Sequence, residues 1–150
     1  MSCRRCAVTR AEIVREARAW IGTPYHHQAS LFGVGTDCLG LVRGIWRSLY
    51  GTEPAELPAY TRDWSEASGR EALLDSARQH LVEANRADAK PGDVLVFRPR
   101  PALPAKHVAI LATEATMIHA MEKAPVAEVA FSPWWRRRLA AVFSFPEVRG

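Results

Sequence analysis

Among the three cysteines and five histidines of this 150-residue chain, Cys38, His107 and His119 stand in settings that could serve acyl-transfer chemistry. A thiol becomes a nucleophile once its proton is gone. An imidazole can take that proton and later give it to a leaving amine, and a third polar group can hold the imidazole in place. Cys38 stands in Thr36-Asp37-Cys38-Leu39-Gly40-Leu41-Val42-Arg43. Asp37 is a favoured N-cap, because its carboxylate accepts bonds from the free amides of a first helical turn. Cys38 then falls in that turn, where the positive end of the helix dipole favours thiolate over thiol. Gly40 offers no side chain to block approach to the sulfur. A single cysteine on an apolar helix is more often a packing residue, so the stretch takes its meaning from the histidines.

His107 opens the apolar run His107-Val-Ala-Ile-Leu-Ala112, and His119 lies in Thr116-Met-Ile-His-Ala120. Both runs read as strands. Side chains alternate along a strand, so the two histidines share a face only if paired residues have an even sum of numbers. The hairpin loop must then hold an odd number of residues, and three or five around Thr113–Ala115 satisfy this. Two unrelated sheet histidines are the alternative, and spacing alone does not choose.

The elements that must position these residues follow from the rest of the chain. Residues 1–8 read as a loose end. Thr9-Arg-Ala-Glu12 is a capping box opening a helix through Ile13, Ala17, Trp20 and Ile21, and Gly22-Thr-Pro24 stops it. Tyr25-His26-His27-Gln28 and a loop with glycines at 33 and 35 lead into the cysteine helix. Leu41, Val42, Ile45, Trp46 and Leu49 recur there at helical spacing, and Gly51 sits at the expected C-terminal position. Residues 52–70 form a long irregular stretch of the kind that tends to be functional. Arg70 to Glu83 is amphipathic, with Leu73, Leu74, Ala77 and Leu81 on one side.

After Lys90-Pro-Gly92 the period changes to that of strands, at 93–97, 107–112, 116–120, 126–131 and 139–145. Between the first two lies a stiff basic segment of polyproline character, Arg98-Pro-Arg-Pro-Ala-Leu-Pro-Ala-Lys106. Helices first and strands after, with short connections, imply an α+β domain whose helices pack on an antiparallel sheet of about five strands. No internal repeat or boundary divides residues 1–150, so one domain is expected.

Composition narrows the function class. Apolar residues make up 48% and charged residues 24%, ordinary for a soluble globular protein. No window approaches the roughly 18 unbroken apolar residues of a membrane span. The basic N-terminus lacks the apolar core of a signal peptide, so the protein is expected to work in the cell or leave by a route needing no signal. Twenty basic against sixteen acidic residues give +4, which suits an acidic polymer such as nucleic acid or bacterial wall. No nucleic-acid motif accompanies the charge, and no nucleic-acid partner is expected.

Three cysteines make no disulfide framework. Cys3-Arg-Arg-Cys6 has metal or redox spacing but no second pair, so no metal or cofactor is expected unless a partner completes the ligands. His26 and His27 are adjacent and in extended chain point opposite ways. His80 and Glu83, one helical turn apart, read as a solvated face. Trp134-Trp135-Arg136-Arg137-Arg138 reads as a docking surface for its arginines, with at least one tryptophan packed on the sheet.

Asp37-Cys38-Leu39-Gly40-Leu41-Val42 resembles the Asp-Cys-Ser-Gly-Leu-Val signature of the NlpC/P60 family of cell-wall cysteine peptidases. His107-Val-Ala-Ile resembles that family's His-Val-Gly-Ile strand, and Met117-Ile-His-Ala120 its Ile-His-Ala strand. Gly22-Thr-Pro-Tyr25 and Pro91-Gly-Asp93-Val are similar to its segments before the cysteine and before the sheet. Together they span roughly residues 10–145 in family order. Tyr-His-His-Gln-Ala-Ser and Cys-Leu-Gly-Leu-Val-Arg further resemble a branch found in phage tails and tail-like gene-transfer particles.

The resemblance implies a papain-like fold with Cys38 as nucleophile, His107 as base and then acid, and His119 orienting His107. It places Tyr25, with Asp37 and Gly40, around the oxyanion, for which the Cys38 amide is the natural donor. It implies cleavage of peptidoglycan stem peptides, most often between D-glutamate and the following diamino acid. His26, His27, Arg98, Arg100 and Lys106 are expected to contact that substrate. Leu39 in place of the common Ser, and His26-His27-Gln28 in place of an aromatic and glycine-rich continuation, are departures that bear on the bond cut. The expected setting is a phage-like particle assembled in the cytoplasm without a signal peptide, acting at the cell wall with tail hub or tail-tip proteins as partners. The rivals are a structural tail component whose site has lapsed, and an acyltransferase using the same three residues.

Overall fold

A computed structural model describes residues 8–51 and 71–150. Cys3, Cys6 and the 52–70 stretch lie outside these residues.

The first helix, α1 (Arg10–Ala19), starts as its capping box predicts: the Thr9 hydroxyl accepts from the Glu12 amide, and the Glu12 carboxylate accepts from the Thr9 amide. It buries Ile13, Val14 and Ala17. A two-stranded ribbon, β1 (Ser30–Leu31) and β2 (Gly35–Thr36), then precedes α2 (Cys38–Tyr50). Gly51 ends α2 at φ 86, a left-handed conformation that costs glycine little. Then come α3 (Ala72–His80) and strands β3 (Val82–Ala84), β4 (Val94–Phe97), β5 (His107–Leu111), β6 (Thr116–His119) and β7 (Ala127–Ala130). One helical turn, α4 (Pro133–Arg136), leads into β8 (Leu139–Ser144).

The larger sheet has six antiparallel strands in the order β3-β8-β4-β5-β6-β7. The α+β class with helices and an antiparallel sheet is as expected, with one strand more. Val82-Glu-Ala84 continues the amphipathic pattern of the preceding helix in sequence, yet it pairs with Val142–Ser144. Leu81, in extended conformation, ends α3 and lets the chain turn onto the sheet edge.

Two apolar clusters sandwich the sheet. Val94, Val96, Val108, Ile110, Ile118 and Phe143 meet Ile13, Trp20, Leu41 and Ile45 of the helical layer. Leu95, Phe97, Ala109, Leu111, Met117 and Val142 form the second cluster with Phe131. Successive strand residues alternate between the clusters, which is the sheet's period of two made visible.

Candidate active site

Asp37 anchors the start of α2. Its Oδ1 accepts from the Gly40 amide at 2.7 Å, as an N-cap should. Its Oδ2 accepts from the Gln28 amide at 2.7 Å, tying the turn after Tyr25 to the helix start. Gln28 holds a positive φ of 63, which this bond helps to fix.

Gly40 is required for a reason other than the one expected from sequence. It is buried, and a Cβ there would stand 2.0 Å from the Ala29 carbonyl oxygen and 2.6 Å from Thr36 Oγ1. The absent side chain lets the 26–36 loop pack against the first turn of α2, and Gly40 is not among the described residues that line the cleft. The Ser30 hydroxyl donates to the Gly40 carbonyl at 2.6 Å, which strengthens the same seam.

The two histidines come together through register. Ile110 pairs with Ile118 and Leu111 with Met117, and the Ala112 amide donates to the Thr116 carbonyl at 2.9 Å, which leaves three residues, Thr113 to Ala115, to turn the hairpin. The sum of paired numbers is even, so His107 and His119, both odd, lie on the same face of the sheet. His107 Nε2 lies 2.9 Å from His119 Nδ1, one nitrogen donating and the other accepting.

Cys38 reaches the same place from the helical layer, lining with His107 a cleft of about 350 Å³. The backbone amide of Val108, next to His107, acts on its thiol together with those of Leu39 and Cys38 itself.

The charge state at this helix start corrects the expectation of a favoured thiolate. Burial pushes the Cys38 thiol up to about 12, and the Asp37 carboxylate pushes the same way; the three amides oppose them and do not prevail. Burial, and secondarily His119, lower the His107 imidazolium to about 3. Burial lowers His119 to about 4. All three side chains therefore rest neutral near pH 7.

Tyr25, His27, Asp37, Arg98 and Lys106 also line the cleft. A backbone bridge between Tyr25 and Thr36 sets the tyrosine there. The neighbouring His26 does not line it among the described residues; its ring lies over Gly35, where an added Cβ would come within 2.6 Å of it. Arg100 is likewise not among the described lining residues. Arg98 is paired with Glu71, whose other carboxylate oxygen accepts from the Ala105 amide at 3.1 Å. That guanidinium braces the 98–106 segment as well as facing the cleft.

Trp134, Trp135, Arg138, Met121 and Glu122 were not foreseen at the cleft. Trp135 stacks on His107 at 5.4 Å and 29° and meets His119 edge-on at 5.3 Å and 82°. The Trp-Trp pair followed by arginines was the visible signal, but nothing local says which strand it faces. Among the described residues no group of three His, Cys, Asp or Glu side chains is placed to hold a metal, and no helix is long and apolar enough to cross a membrane.

A cysteine at a helix start and one ring of a hydrogen-bonded imidazole pair thus line the same cleft, and these are the side-chain types that acyl transfer uses. Comparison with known proteins agrees with the fold around it. The profile of the NlpC/P60 family matches residues 22–143. The NlpC/P60 domain of the peptidoglycan hydrolase SagA is 25% identical, with TM-score 0.63, over 92% of this chain and 100% of that one. An NlpC/P60 family protein from Bacillus cereus is 18% identical, with TM-score 0.67, over 91% of this chain and 40% of its own. NlpC2 from Trichomonas vaginalis is 19% identical, with TM-score 0.60, over 91% and 47%. The chain thus spans the whole of the first and under half of the other two. No curated protein sequence matches the chain.

Proposed function

The chain belongs to the NlpC/P60 family, and from that premise we propose that it is a cysteine peptidase that hydrolyses peptidoglycan stem peptides. The observation that carries the reading is the 2.9 Å contact from the buried His119 to His107, which lines the same cleft as Cys38. The SagA domain, described as part of a peptidoglycan hydrolase and spanned in full, supports the substrate class.

In this reading the Nε2–H of His107 donates a hydrogen bond to His119 Nδ1, which leaves the Nδ1 lone pair of His107 to receive the thiol proton. Because thiol and imidazole rest neutral, that proton moves as Sγ bonds to the scissile carbonyl carbon. The carbonyl oxygen gains the negative charge beside the first-turn amide of Cys38, near Tyr25. His107 then protonates the amine nitrogen as the C–N bond breaks, giving a thioester. Water, giving one proton to His107 as it attacks the thioester carbonyl, breaks the C–S bond. The His107 imidazolium returns that proton to the departing Cys38 sulfur, and the released acid ionises to a carboxylate in solvent. His119 stays neutral and accepting throughout, keeping the ring oriented and sharing the imidazolium charge.

The cleaved bond is proposed to be that between D-glutamate and the diamino acid, with Lys106 and His27 facing the stem-peptide carboxylates. We further propose that the protein is assembled into a phage-like tail and acts at the cell wall. The Tyr25–Ser30 and Cys38–Arg43 segments, which resemble that branch, support this. Digestion of purified peptidoglycan followed by mass spectrometry tests the chemistry: new amino termini and no new reducing sugar ends are expected. Reducing ends would indicate glycosidic cleavage and contradict the proposal. Co-sedimentation with tail particles tests the setting, and its absence from them would contradict that part alone.

A further inference from the structure

The single turn α4 is held firmly for its length. The Arg136 guanidinium donates to the carbonyls of Phe131 at 2.8 Å and Glu114 at 2.9 Å. The Arg98 amide donates to the Arg138 carbonyl at 2.9 Å. These bonds pin the turn between the β5–β6 hairpin and the segment after β4. From it Trp135, half-buried, lies against three rings: His107, His119, and Phe97 at 5.0 Å and 62°. Trp134 covers its outer side at 4.9 Å and 80°, and the Arg138 guanidinium sits 3.6 Å over the Trp134 ring.

We infer that Trp135 is a positioning residue for the imidazole pair: it stacks on His107, limits rotation of that ring, and keeps water from the His107–His119 hydrogen bond. The inference rests on the proposed reading of Cys38, His107 and His119 as the reacting set. A tryptophan serving only the core would need contact with Phe97 and its neighbours. This one also covers both rings of the hydrogen-bonded pair, one by its face and one by its edge. A hydrogen bond in a less polar environment is stronger, so shielding sharpens the hold of His119 on His107. The same shielding disfavours the imidazolium, in line with the lowered values of both rings.

Other groups bear on His107 and must be held constant. Asp37 and Cys38 come from the start of α2, His27 from the turn before it, Arg98 and Lys106 from the β4–β5 segment, Glu122 from beyond β6, and Arg138 from the end of α4. None is altered by substituting Trp135.

The test compares wild type, Trp135→Phe and Trp135→Ala by NMR titration of the histidine ring signals and by kcat/KM on a disaccharide tetrapeptide. In wild type both rings should titrate well below the ordinary histidine value. In Trp135→Ala the His107 titration should rise by about one pH unit as water gains access, and kcat should fall about tenfold with KM little changed. Trp135→Phe should restore most of both. A folded Trp135→Ala whose titration stays at the wild-type value would overturn the inference. Should that variant not fold, an ordinary histidine titration in wild type, or in a folded Trp135→Phe with full activity, would overturn it. A wild type inactive on any cell-wall peptide but with the expected titrations would sink the proposed function and leave the positioning of the pair standing.

Discussion

His107 Nε2 and His119 Nδ1 face each other at 2.9 Å, so one of these two nitrogens carries the hydrogen and the other accepts it when both rings are neutral. If His107 is to accept a proton from Cys38 at Nδ1, the hydrogen must sit on its Nε2, and His119 must be the acceptor. An asparagine at 119 can still accept through its amide oxygen. His107→Ala should therefore lower kcat/KM about a thousandfold, while His119→Asn loses far less and His119→Ala falls between. Steady-state rates on a stem tetrapeptide check this, and equal losses for all three would contradict an orienting role for His119.

Cys38 rests as a thiol, because burial and Asp37 hold its value near 12. Alkylation by iodoacetamide should then quicken about tenfold for each pH unit between 7 and 9, following the thiolate fraction. A rate already level from pH 6 upwards would mean a resting thiolate–imidazolium pair. Asp37→Asn, which removes one of the two groups raising the value, should speed alkylation at pH 7 if the protein remains folded.

Stability should depend on the same two imidazoles. Both have folded values below the unfolded one, near 3 for His107 and 4 for His119, so the unfolded chain binds more protons between those values and about 6.5. Their contribution is fully present above about pH 6.5 and is lost as pH falls towards 4, by at most about 1.4 kcal/mol per unit for each ring. Urea unfolding at pH 7 and pH 5 measures it. His119→Asn should show the smaller acid loss, and an identical pH slope in that variant would argue against a buried neutral pair.

The seam between the 26–36 loop and α2 should be sensitive out of proportion to its size. Asp37→Ala leaves the Gly40 and Gln28 amides without their partner and should cost about 1–3 kcal/mol. Gly40→Ala should cost more, because its Cβ meets a backbone carbonyl that cannot swing aside. Thermal melts give the order, and a Gly40→Ala protein as stable as wild type would refute the close packing.

Much of this site was legible because it is local. Asp37 capping α2, Gly51 closing it and the parity of His107 and His119 each depend on a few adjacent residues or one short turn. The strand Val82–Ala84 was hidden because its residues continue a helical pattern, and only pairing with β8 makes them a strand. The β1–β2 ribbon was missed because two-residue strands have no period to read. The sequence puts at least one tryptophan of the 134–135 pair on the sheet but neither on the histidines, since α4 is a single turn whose direction is set by bonds to Phe131 and Glu114. The first-turn amides of Leu39 and Cys38 lower the Cys38 value as the helix start implies, whereas the opposing effect of burial is a property of the whole fold and is not legible locally.

The central claim is that Cys38 carries out peptide-bond hydrolysis in the cell wall. The most direct measurement is mass spectrometry of purified peptidoglycan incubated with wild type and with Cys38→Ala, each shown by circular dichroism to be folded. The account predicts stem-peptide fragments with new amino termini from wild type and none from Cys38→Ala. The same fragments released by folded Cys38→Ala would contradict it.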